Sequence, residues 1–255
     1  MSNLFDLSGK TAVITGSTRG IGLAIARRMA EHGAQVVISS RKADACEAAA
    51  KAINDEFGAG LALPVPANIS SKDDLQRLVD AANTAFGKID ILVCNAASNP
   101  YYGPNLGISD DQFRKVLENN ILSNHWLIQM TAPQMIERKD GAIIIVSSIG
   151  GLKGSTTIGA YNVSKAADFQ LARNLACELG PHNIRVNCIA PGLIKTDFSK
   201  ALWEDPSRES RDWGSPLKRI GEPDEIAGAA VFLASAAGSF TTGHALVVDG
   251  GATID

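Results

Sequence analysis

Tyr161 and Lys165, four residues apart near the start of a predicted helix, are the pair best suited to acid–base chemistry. This spacing places both side chains on one face of the helix. A free tyrosine has a pKa near 10, and bringing it to about 7–8 requires about 3–4 kcal/mol of preferential anion stabilisation. We therefore predict that Lys165, in a partly desolvated cleft, lowers the pKa of Tyr161 so that the phenol can transfer a proton.

A glycine-rich turn between the first predicted strand and the first predicted helix indicates phosphate binding. Gly16 permits a tight turn, Gly20 lets backbone approach a pyrophosphate, and Gly22 allows close helix–strand packing. The helix N-terminus offers free N–H groups and a positive dipole end to the phosphates. A plain strand–helix turn is the alternative, but it rarely needs three glycines in this order. The predicted dinucleotide-binding residues are Gly16, Ser17, Thr18, Arg19, Gly20, Ile21 and Gly22.

The residues after the second predicted strand favour NADP over NAD. An NAD site places an acidic residue there for the ribose 2′-hydroxyl, and this chain has Ser40 and Arg41 instead. Ser40 leaves room for a phosphate, Arg41 can bind it as a fork, and Arg19 of the glycine turn can close over the same group. The alternative is that Arg41 only solvates the start of a helix. Asn68, after the third strand, is either an adenine-binding residue or an ordinary polar loop residue.

Short apolar strands alternate with helical stretches along most of the chain. The strands are continuously apolar, which indicates a sheet covered on both faces. Alternation with helices implies right-handed crossovers and a doubly wound, Rossmann-type α/β fold with one parallel sheet and helices on both faces. The predicted strands are Thr11–Thr15, Gln35–Ser39, Leu61–Val65, Ile91–Cys94, Ala142–Val146, Arg185–Ile189 and Ala245–Val248.

Capping residues mark several helix ends. Gly33 is a predicted left-handed cap, and Ser71 with Asp74 is spaced like a capping pair. Ser109 with Gln112 is a capping-box signature, and it opens a long helix that Pro133 limits or kinks. The further predicted helices are Ile21–Glu31, Ala43–Phe57, Ser71–Phe86 and Tyr161–Leu179, with another starting at Pro223.

We predict one catalytic domain spanning residues 1–255, because no stretch resembles a linker and no low-complexity tract interrupts the alternation. The exception is a polar insertion at about 197–217, with Trp203, Pro206, Trp213 and Pro216. Long excursions inside compact folds are more often functional than idle. We therefore expect a substrate lid there.

Composition excludes several classes of function. The chain has 255 residues, with 24 Lys and Arg against 27 Asp and Glu, for a formal charge of −3. No basic surplus supports nucleic-acid binding, and no apolar run is long enough to span a membrane. The four cysteines and four histidines are scattered, so we predict no metal site and reduced, mostly buried thiols. Without a visible secretory or peroxisomal signal, we expect a cytoplasmic protein.

Taken together, these motifs resemble the short-chain dehydrogenase/reductase family over essentially the whole chain. The resemblance is carried, in order, by the glycine turn, Cys94-Asn95-Ala96-Ala97, Asn120, Ser148, Tyr161, Lys165, the Pro191-Gly192 turn and Val248-Asp249-Gly250-Gly251. It implies a catalytic tetrad at Asn120, Ser148, Tyr161 and Lys165. Ser148 is preferred to Ser147 because it lies thirteen residues before Tyr161, as in the family's ketoacyl reductases.

The resemblance implies hydride transfer to a carbonyl while Tyr161 donates the proton. Ser148 is then expected to stabilise the oxyanion, Lys165 to hold the nicotinamide ribose, and Asn120 to hold a relay water. The ordinary alternatives are a helix cap for Ser148, a buried structural amide for Asn120 and a solvated charge for Lys165. The resemblance also implies cofactor contacts at Ser40, Arg41, Asn68, Ile69, Asn95, Ala96, Tyr161, Lys165, Pro191, Gly192, Ile194 and Thr196.

This chain departs from the family pattern at three positions. Cys94 and Ala97 stand where Asn and Gly are usual, and Asn68 stands where Asp is common. Asn95 retains the second Asn of the motif, so we expect cofactor contact there to be kept. The neighbouring hydrogen bonds are expected to differ.

The sequence is most similar in appearance to the family's NADPH-dependent carbonyl reductases acting on retinal and dicarbonyls. We therefore expect NADP(H)-dependent reduction of a small ketone or aldehyde by a homotetramer. The alternatives are a 3-oxoacyl-carrier-protein reductase, for which Arg114, Lys115, Arg138 and Lys139 are only a modest docking patch, and an NAD-dependent secondary-alcohol dehydrogenase. An enoyl reductase usually spaces Tyr and Lys more widely. An NADP-binding sensor has no need for the tetrad.

Overall fold

Seven parallel strands form one sheet in the order β3-β2-β1-β4-β5-β6-β7. The computed structural model describes residues 3–204 and 214–254. The strands are β1 (Thr11–Thr15), β2 (Gln35–Ser39), β3 (Ala62–Pro64), β4 (Ile91–Cys94), β5 (Gly141–Val146), β6 (Ile184–Pro191) and β7 (Ala245–Val248). In register, Val13 of β1 lies beside Val37 of β2 and Leu92 of β4. The predicted doubly wound parallel sheet is confirmed.

Helices cover both faces of this sheet. They are α1 (Gly20–Glu31), α2 (Ala43–Phe57), α3 (Lys72–Phe86), α4 (Asp110–Leu117), α5 (Ser123–Arg138), α6 (Gly159–Leu179), the short α7 (Lys200–Trp203) and α8 (Pro223–Ala234). Successive residues of a strand point their side chains to opposite faces of the sheet. Ile14 packs in the core with α1, α2 and α8, whereas Val13 packs in the core with α3, α5 and α6. None of the helices in these described ranges is long and apolar enough to cross a membrane.

Most predicted helix ends are confirmed. Gly33 has a φ of +94°, and the Ser71 hydroxyl accepts the N–H of Asp74 at 3.2 Å. Ser109 and Gln112 form the reciprocal capping box of α4. β3 is one residue shorter at each end than predicted, although Leu61 and Val65 still share backbone hydrogen bonds with β2.

Two features of the α4–α5 region differ from the prediction. Pro133 does not limit the long helix, since α5 continues to Arg138. The interruption comes earlier, where Glu118–Leu122 form a π-helical turn between α4 and α5. Such turns insert an extra residue into the helix and are frequent at functional sites. Asn120 lies within this turn.

Candidate active site

The predicted functional residues gather at the carboxyl edge of the sheet. The glycine turn follows β1, Asn95 follows β4, Ser148 follows β5 and Gly192 follows β6. Because all seven strands are parallel, these loops emerge at the same edge. Ligands of open α/β sheets bind at this edge.

The glycine turn has the shape expected of a phosphate cradle. Gly16 and Gly20 have φ values of +65° and +55°, a region that favours glycine. A Cβ on Gly22 would lie 2.3 Å from the carbonyl oxygen of Gly16, so no side chain fits there. The N-terminus of α1 therefore meets the turn through bare backbone, and a pyrophosphate fits it.

Asn95 holds this turn in place. Its Nδ2 donates to the carbonyl oxygens of Thr15 at 2.9 Å and Gly16 at 3.1 Å. The backbone N–H groups of Asn95 and Ala96 both donate to Thr15 Oγ1 at 3.0 Å. Asn95 and Ala96 thus stabilise the glycine turn, and the Asn95 side-chain amide is already hydrogen-bonded to that turn.

Ser17 also has a structural place in the turn. It is fully buried, and its hydroxyl donates to the Ile14 carbonyl at 2.7 Å while accepting the Ser39 N–H at 2.9 Å. Its own N–H donates to the Ser39 carbonyl at 3.0 Å. Ser17 therefore ties β1 to β2. Thr18 and Ile21 stay partly buried at the turn.

Arg19 and Arg41 have different surroundings in the structure. The guanidinium of Arg19 pairs with the Asp197 carboxylate at 3.3 Å, beyond β6, and Arg41 is exposed after β2. Both side chains of the Arg19–Asp197 pair are at least 70% exposed, and such pairs contribute about 0–1 kcal/mol. A phosphate dianion can therefore replace Asp197. The Ser40 hydroxyl lies 3.4 Å from the sulfur of Cys46.

The loop after β3 is fixed to the start of α3. The Asn68 N–H donates to the Asp74 carboxylate at 2.9 Å, and Asn68 Oδ1 accepts the Ser70 N–H at 3.2 Å. The hydrogen bond from the Asn68 backbone, followed by the one from the Ser71 hydroxyl, holds the pKa of Asp74 below its usual value. Ile69 packs against the core of this face.

Tyr161 lies in the first turn of α6, within reach of Ser148. The Ser148 side chain is close enough to the Tyr161 phenol to lower its pKa slightly, and it accepts the N–H of Gly150 at 3.0 Å. Ser147 points the other way, since its buried hydroxyl donates to the Lys165 carbonyl at 2.8 Å. This difference supports Ser148, and not Ser147, as the residue that faces the reacting group.

Lys165 acts on the pKa of Tyr161 in the predicted direction, but without a bound cofactor it does not bring that pKa below the value of a free tyrosine. Burial raises the pKa of the Tyr161 phenol above its usual value, and Lys165 only partly offsets it. The Lys165 Nζ lies 5.6 Å from the centre of the Tyr161 ring. Asp168 further raises this pKa, whereas the hydrogen bond with Ser148 lowers it. The phenol is therefore protonated at neutral pH.

Lys165 is itself held by two buried oxygen atoms. Its Nζ donates to the Val146 carbonyl at 3.0 Å and to Asp168 Oδ2 at 3.1 Å. Burial lowers the pKa of Lys165, but Asp168 and Tyr161 more than compensate and raise it overall. Sequence reasoning missed Asp168. The signal was an acidic residue three positions after Lys165, on the helix face that carries Ala172 and Ala176 into the core.

Asn120 sits fully buried in the π-helical turn. Its Oδ1 accepts the Ser98 N–H at 2.8 Å, and its Nδ2 donates to the Ser98 carbonyl and to Ser164 Oγ, each at 3.0 Å. Ser164 Oγ in turn donates to the Tyr161 carbonyl at 2.7 Å. Asn120 thereby joins the loop after β4 to the first turn of α6. All four predicted tetrad residues belong to one connected region.

The segment after β6 meets the glycine turn. A Cβ on Gly20 would lie 3.2 Å from Thr196 Cγ2, so Thr196 covers the turn. Gly192, after the buried Pro191, donates its N–H to the Val248 carbonyl at 2.9 Å. The side chain of Ile194, in the same segment, is buried.

Only the ends of the predicted lid are described, because residues 205–213, with Pro206 and Trp213, lie outside the described residues. The Phe198 ring lies 5.9 Å from that of Tyr161. Trp203 Nε1 donates to the Thr196 carbonyl at 3.3 Å and to Ser199 Oγ at 3.2 Å. The start of the insertion therefore contacts the tyrosine directly.

The fold and site together define a dinucleotide-binding oxidoreductase, and comparison with known proteins identifies its family. Residues 16–253 match a family model described as enoyl-(acyl carrier protein) reductase. The chain is 44% identical over 248 residues to "Dehydrogenase/reductase SDR family member 4" of Oryctolagus cuniculus, which covers 96% of this chain and 94% of that protein.

Two solved structures support the same family. A short-chain type dehydrogenase/reductase from Mycobacterium marinum has a TM-score of 0.92 at 36% identity, covering 99% of this chain and 98% of that chain. A 7α-hydroxysteroid dehydrogenase complexed with NADH and 7-oxo glycochenodeoxycholic acid has a TM-score of 0.91 at 38% identity, covering 98% of both. The chain belongs to the short-chain dehydrogenase/reductase family, whose members use NAD or NADP.

Proposed function

We propose that this protein reduces a ketone or aldehyde to an alcohol with NADPH, reversibly, with Tyr161 as the proton donor. The observation that carries the proposal is the placement of the Tyr161 phenol near the Ser148 side chain and beside the Lys165 ammonium, whose Nζ lies 5.6 Å from the centre of the Tyr161 ring. A protonated phenol is the form that donates in reduction, and burial of Tyr161 favours that form.

Each tetrad residue has a role that its position supports. Ser148 orients the substrate oxygen and stabilises its developing charge, while Tyr161 gives its proton to that oxygen. Lys165 holds its charge beside the phenol and is placed to bind ribose hydroxyls. Asn120 fixes the loop after β4 against α6. When bound, the nicotinamide cofactor supplies the hydride.

Substitution of Tyr161 tests the proton donor. We expect Tyr161→Phe to abolish carbonyl reduction, followed by NADPH absorbance across a carbonyl panel, while cofactor binding measured by fluorescence is retained. Tyr101→Phe is the matched control, since the Tyr101 hydroxyl only donates to the Pro104 carbonyl. Turnover retained in Tyr161→Phe would rule out this assignment.

The preference for NADP rests on the basic, acid-free segment after β2. Arg41 is exposed and available for a phosphate, and Arg19 needs only to exchange one exposed carboxylate for it. The 7α-hydroxysteroid dehydrogenase with NADH is the comparison that favours NAD as the alternative. A nicotinamide-binding sensor without chemistry is disfavoured by the connected tetrad.

Arg41→Asp tests this preference. We expect the NADP/NAD ratio of kcat/KM to fall about 10- to 100-fold, since a charge-assisted hydrogen bond contributes about 1.5–3 kcal/mol. Lys42→Asp makes the same change of charge one residue away and is expected to change the ratio much less. An unchanged ratio in Arg41→Asp would refute the role of Arg41.

The carbonyl substrate is proposed to be a small molecule that is not attached to a carrier protein. Nearby carboxylates partly balance the basic patch that an acidic carrier would need, since Arg114 pairs with Asp110 and Asp111, and Arg138 lies near Asp90. A cavity of about 180 Å³ adjoins Ile149 and Leu193, the residues after Ser148 and Gly192. The four-residue spacing of Tyr161 and Lys165 disfavours enoyl reduction.

We also propose a cytoplasmic homotetramer, assembled through the two long helices and the β7 region. Exposed apolar side chains on these elements support the assembly: Val163 on α6, Phe240 before β7 and Val247 within it. Exposed apolar groups that cluster on a surface favour association.

A further inference from the structure

A buried carboxylate lies one helical turn below Lys165. Asp168 has no exposed surface, and Lys165 is 2% exposed. Asp168 Oδ2 accepts from Lys165 Nζ at 3.1 Å, and Asp168 Oδ1 accepts from Asn124 Nδ2 at 3.3 Å. The proposed reduction assigns no task to Asp168. Burying a charge is costly unless it is paired, so this pair needs an explanation.

We propose that Asp168 is a positioning residue that fixes the Lys165 ammonium and limits how strongly Lys165 acidifies Tyr161. The inference rests on the proposed function, in which Tyr161 must remain protonated to donate. The two contacts of Lys165, to Asp168 and to the Val146 carbonyl, tie its Nζ to the end of β5. The ammonium therefore stays beside the ring of Tyr161, with part of its charge balanced from below.

The pair is also connected to the other side of the site. Asn124 Nδ2, which donates to Asp168, donates to the Asn120 carbonyl at 2.6 Å as well. Because Asn120 lies in the π-helical turn, its backbone oxygen is exposed to this amide. Asp168 thus helps to hold α5 and α6 together where the tetrad residues meet.

The two thiols that face the pair do not carry charge at neutral pH. Cys94 faces it from β4, and Cys188 from β6, with its Sγ donating to the Asp168 carbonyl at 3.4 Å. Burial raises the pKa of both thiols, so they stay neutral. Arg173, farther along α6, interacts with Cys188. Lys165 and Asp168 are therefore the charges that Tyr161 senses from within the protein.

The direction of the effect follows from the charges. Lys165 lowers the pKa of Tyr161 and Asp168 raises it, so removal of the carboxylate lowers it. Alcohol oxidation needs the phenolate, which exists above this pKa, and carbonyl reduction needs the phenol, which exists below it. In Asp168→Asn, both the rise of oxidation and the fall of reduction with increasing pH move to lower pH.

Two measurements test the proposal. We expect Asp168→Asn to shift both pH profiles of kcat/KM down by about one pH unit. The tyrosinate absorbance of Tyr161, taken as the difference from the matching Tyr161→Phe protein without cofactor, is expected to shift the same way. This second readout needs no turnover, so it separates failure of the inference from failure of the proposed function.

Three further variants distinguish the proposed effect on the pH profiles from a purely structural one. Asp90→Asn alters another buried, ion-paired aspartate at the opposite edge of the sheet and is expected to leave both profiles in place. Asp168→Glu restores a carboxylate and is expected to move the profile back toward the original. If Asp168→Asn does not fold, Asp168→Leu removes the charge without adding a buried amide, and the same shift is expected. Unshifted profiles, or equal shifts in Asp90→Asn, would overturn the proposal.

Discussion

Two buried aspartates, at opposite edges of the sheet, use their charge differently. Asp90, just before β4, accepts the Thr11 N–H at 2.9 Å and pairs with Lys88 at 3.0 Å and Arg138 at 3.7 Å. Asp168, on α6, has the fully enclosed Lys165 as its ionic partner. The cations of Asp90 are about one-third exposed, whereas Lys165 is sealed inside.

We infer from this difference that the charge of Asp90 is structural, whereas that of Asp168 acts on a neighbouring group. Asp90 also exchanges backbone hydrogen bonds with Thr11 and Ala142, so it aligns the starts of β1, β4 and β5. Its cations keep contact with water, which limits the desolvation that the pair must overcome. The Lys165–Asp168 pair is fully desolvated and lies beside Tyr161, the proposed proton donor. A charge buried this deeply has a use where it alters the properties of a neighbouring group.

Breaking the enclosed pair is expected to have the largest effect. Lys165→Met leaves Asp168 buried without its cation, so we expect the free energy of unfolding to fall by about 3–5 kcal/mol and reduction to be lost. Urea unfolding and NADPH turnover measure the two effects. The double variant Lys165→Met with Asp168→Leu is the matched test.

In the double variant, apolar side chains replace both charges. Stability is expected to recover to near that of the original chain, because well-packed apolar replacements of a buried pair are often neutral. Turnover is expected to stay lost. Recovery of turnover together with stability would show that the pair has only a structural role, like that of Asp90.

Asp90→Asn is expected to have the smaller effect. The amide oxygen can still accept the Thr11 N–H, but the charge-assisted contacts with Lys88 and Arg138 are lost. We expect stability to fall by about 1–2 kcal/mol, with unchanged pH dependence of turnover. Urea unfolding measures the first and steady-state kinetics the second. A shifted pH profile in Asp90→Asn would contradict the proposed difference between Asp90 and Asp168.

The sequence was a good guide where local chemistry decides the structure. Continuous apolar runs predicted the strands, and Ser109 with Gln112 predicted the start of α4. Gly16 and Gly22 predicted the phosphate turn, because a positive φ and a lack of space are properties that glycine alone satisfies. The tetrad residues came from the family resemblance, and the structure brings them into one region.

It was a poor guide where distant residues set the outcome. The pKa of Tyr161 depends on burial, which spacing from Lys165 does not reveal. Arg19 faces Asp197, which lies far away in the chain. In the π-helical turn Asn120 contacts Ser98 and Ser164, which are distant in the chain, and helical periodicity carries no sign of the turn.

The crowding at Gly22 has a consequence for anyone redesigning cofactor choice. A methyl group at this position would meet the Gly16 carbonyl at 2.3 Å and the Asn95 amide at 2.5 Å, so the inner wall of the cradle leaves no design freedom. The loop after β2 is the opposite case at Arg41, which is exposed and has room for exchange. Library positions belong in that loop, and the turn is best treated as a fixed part of the scaffold.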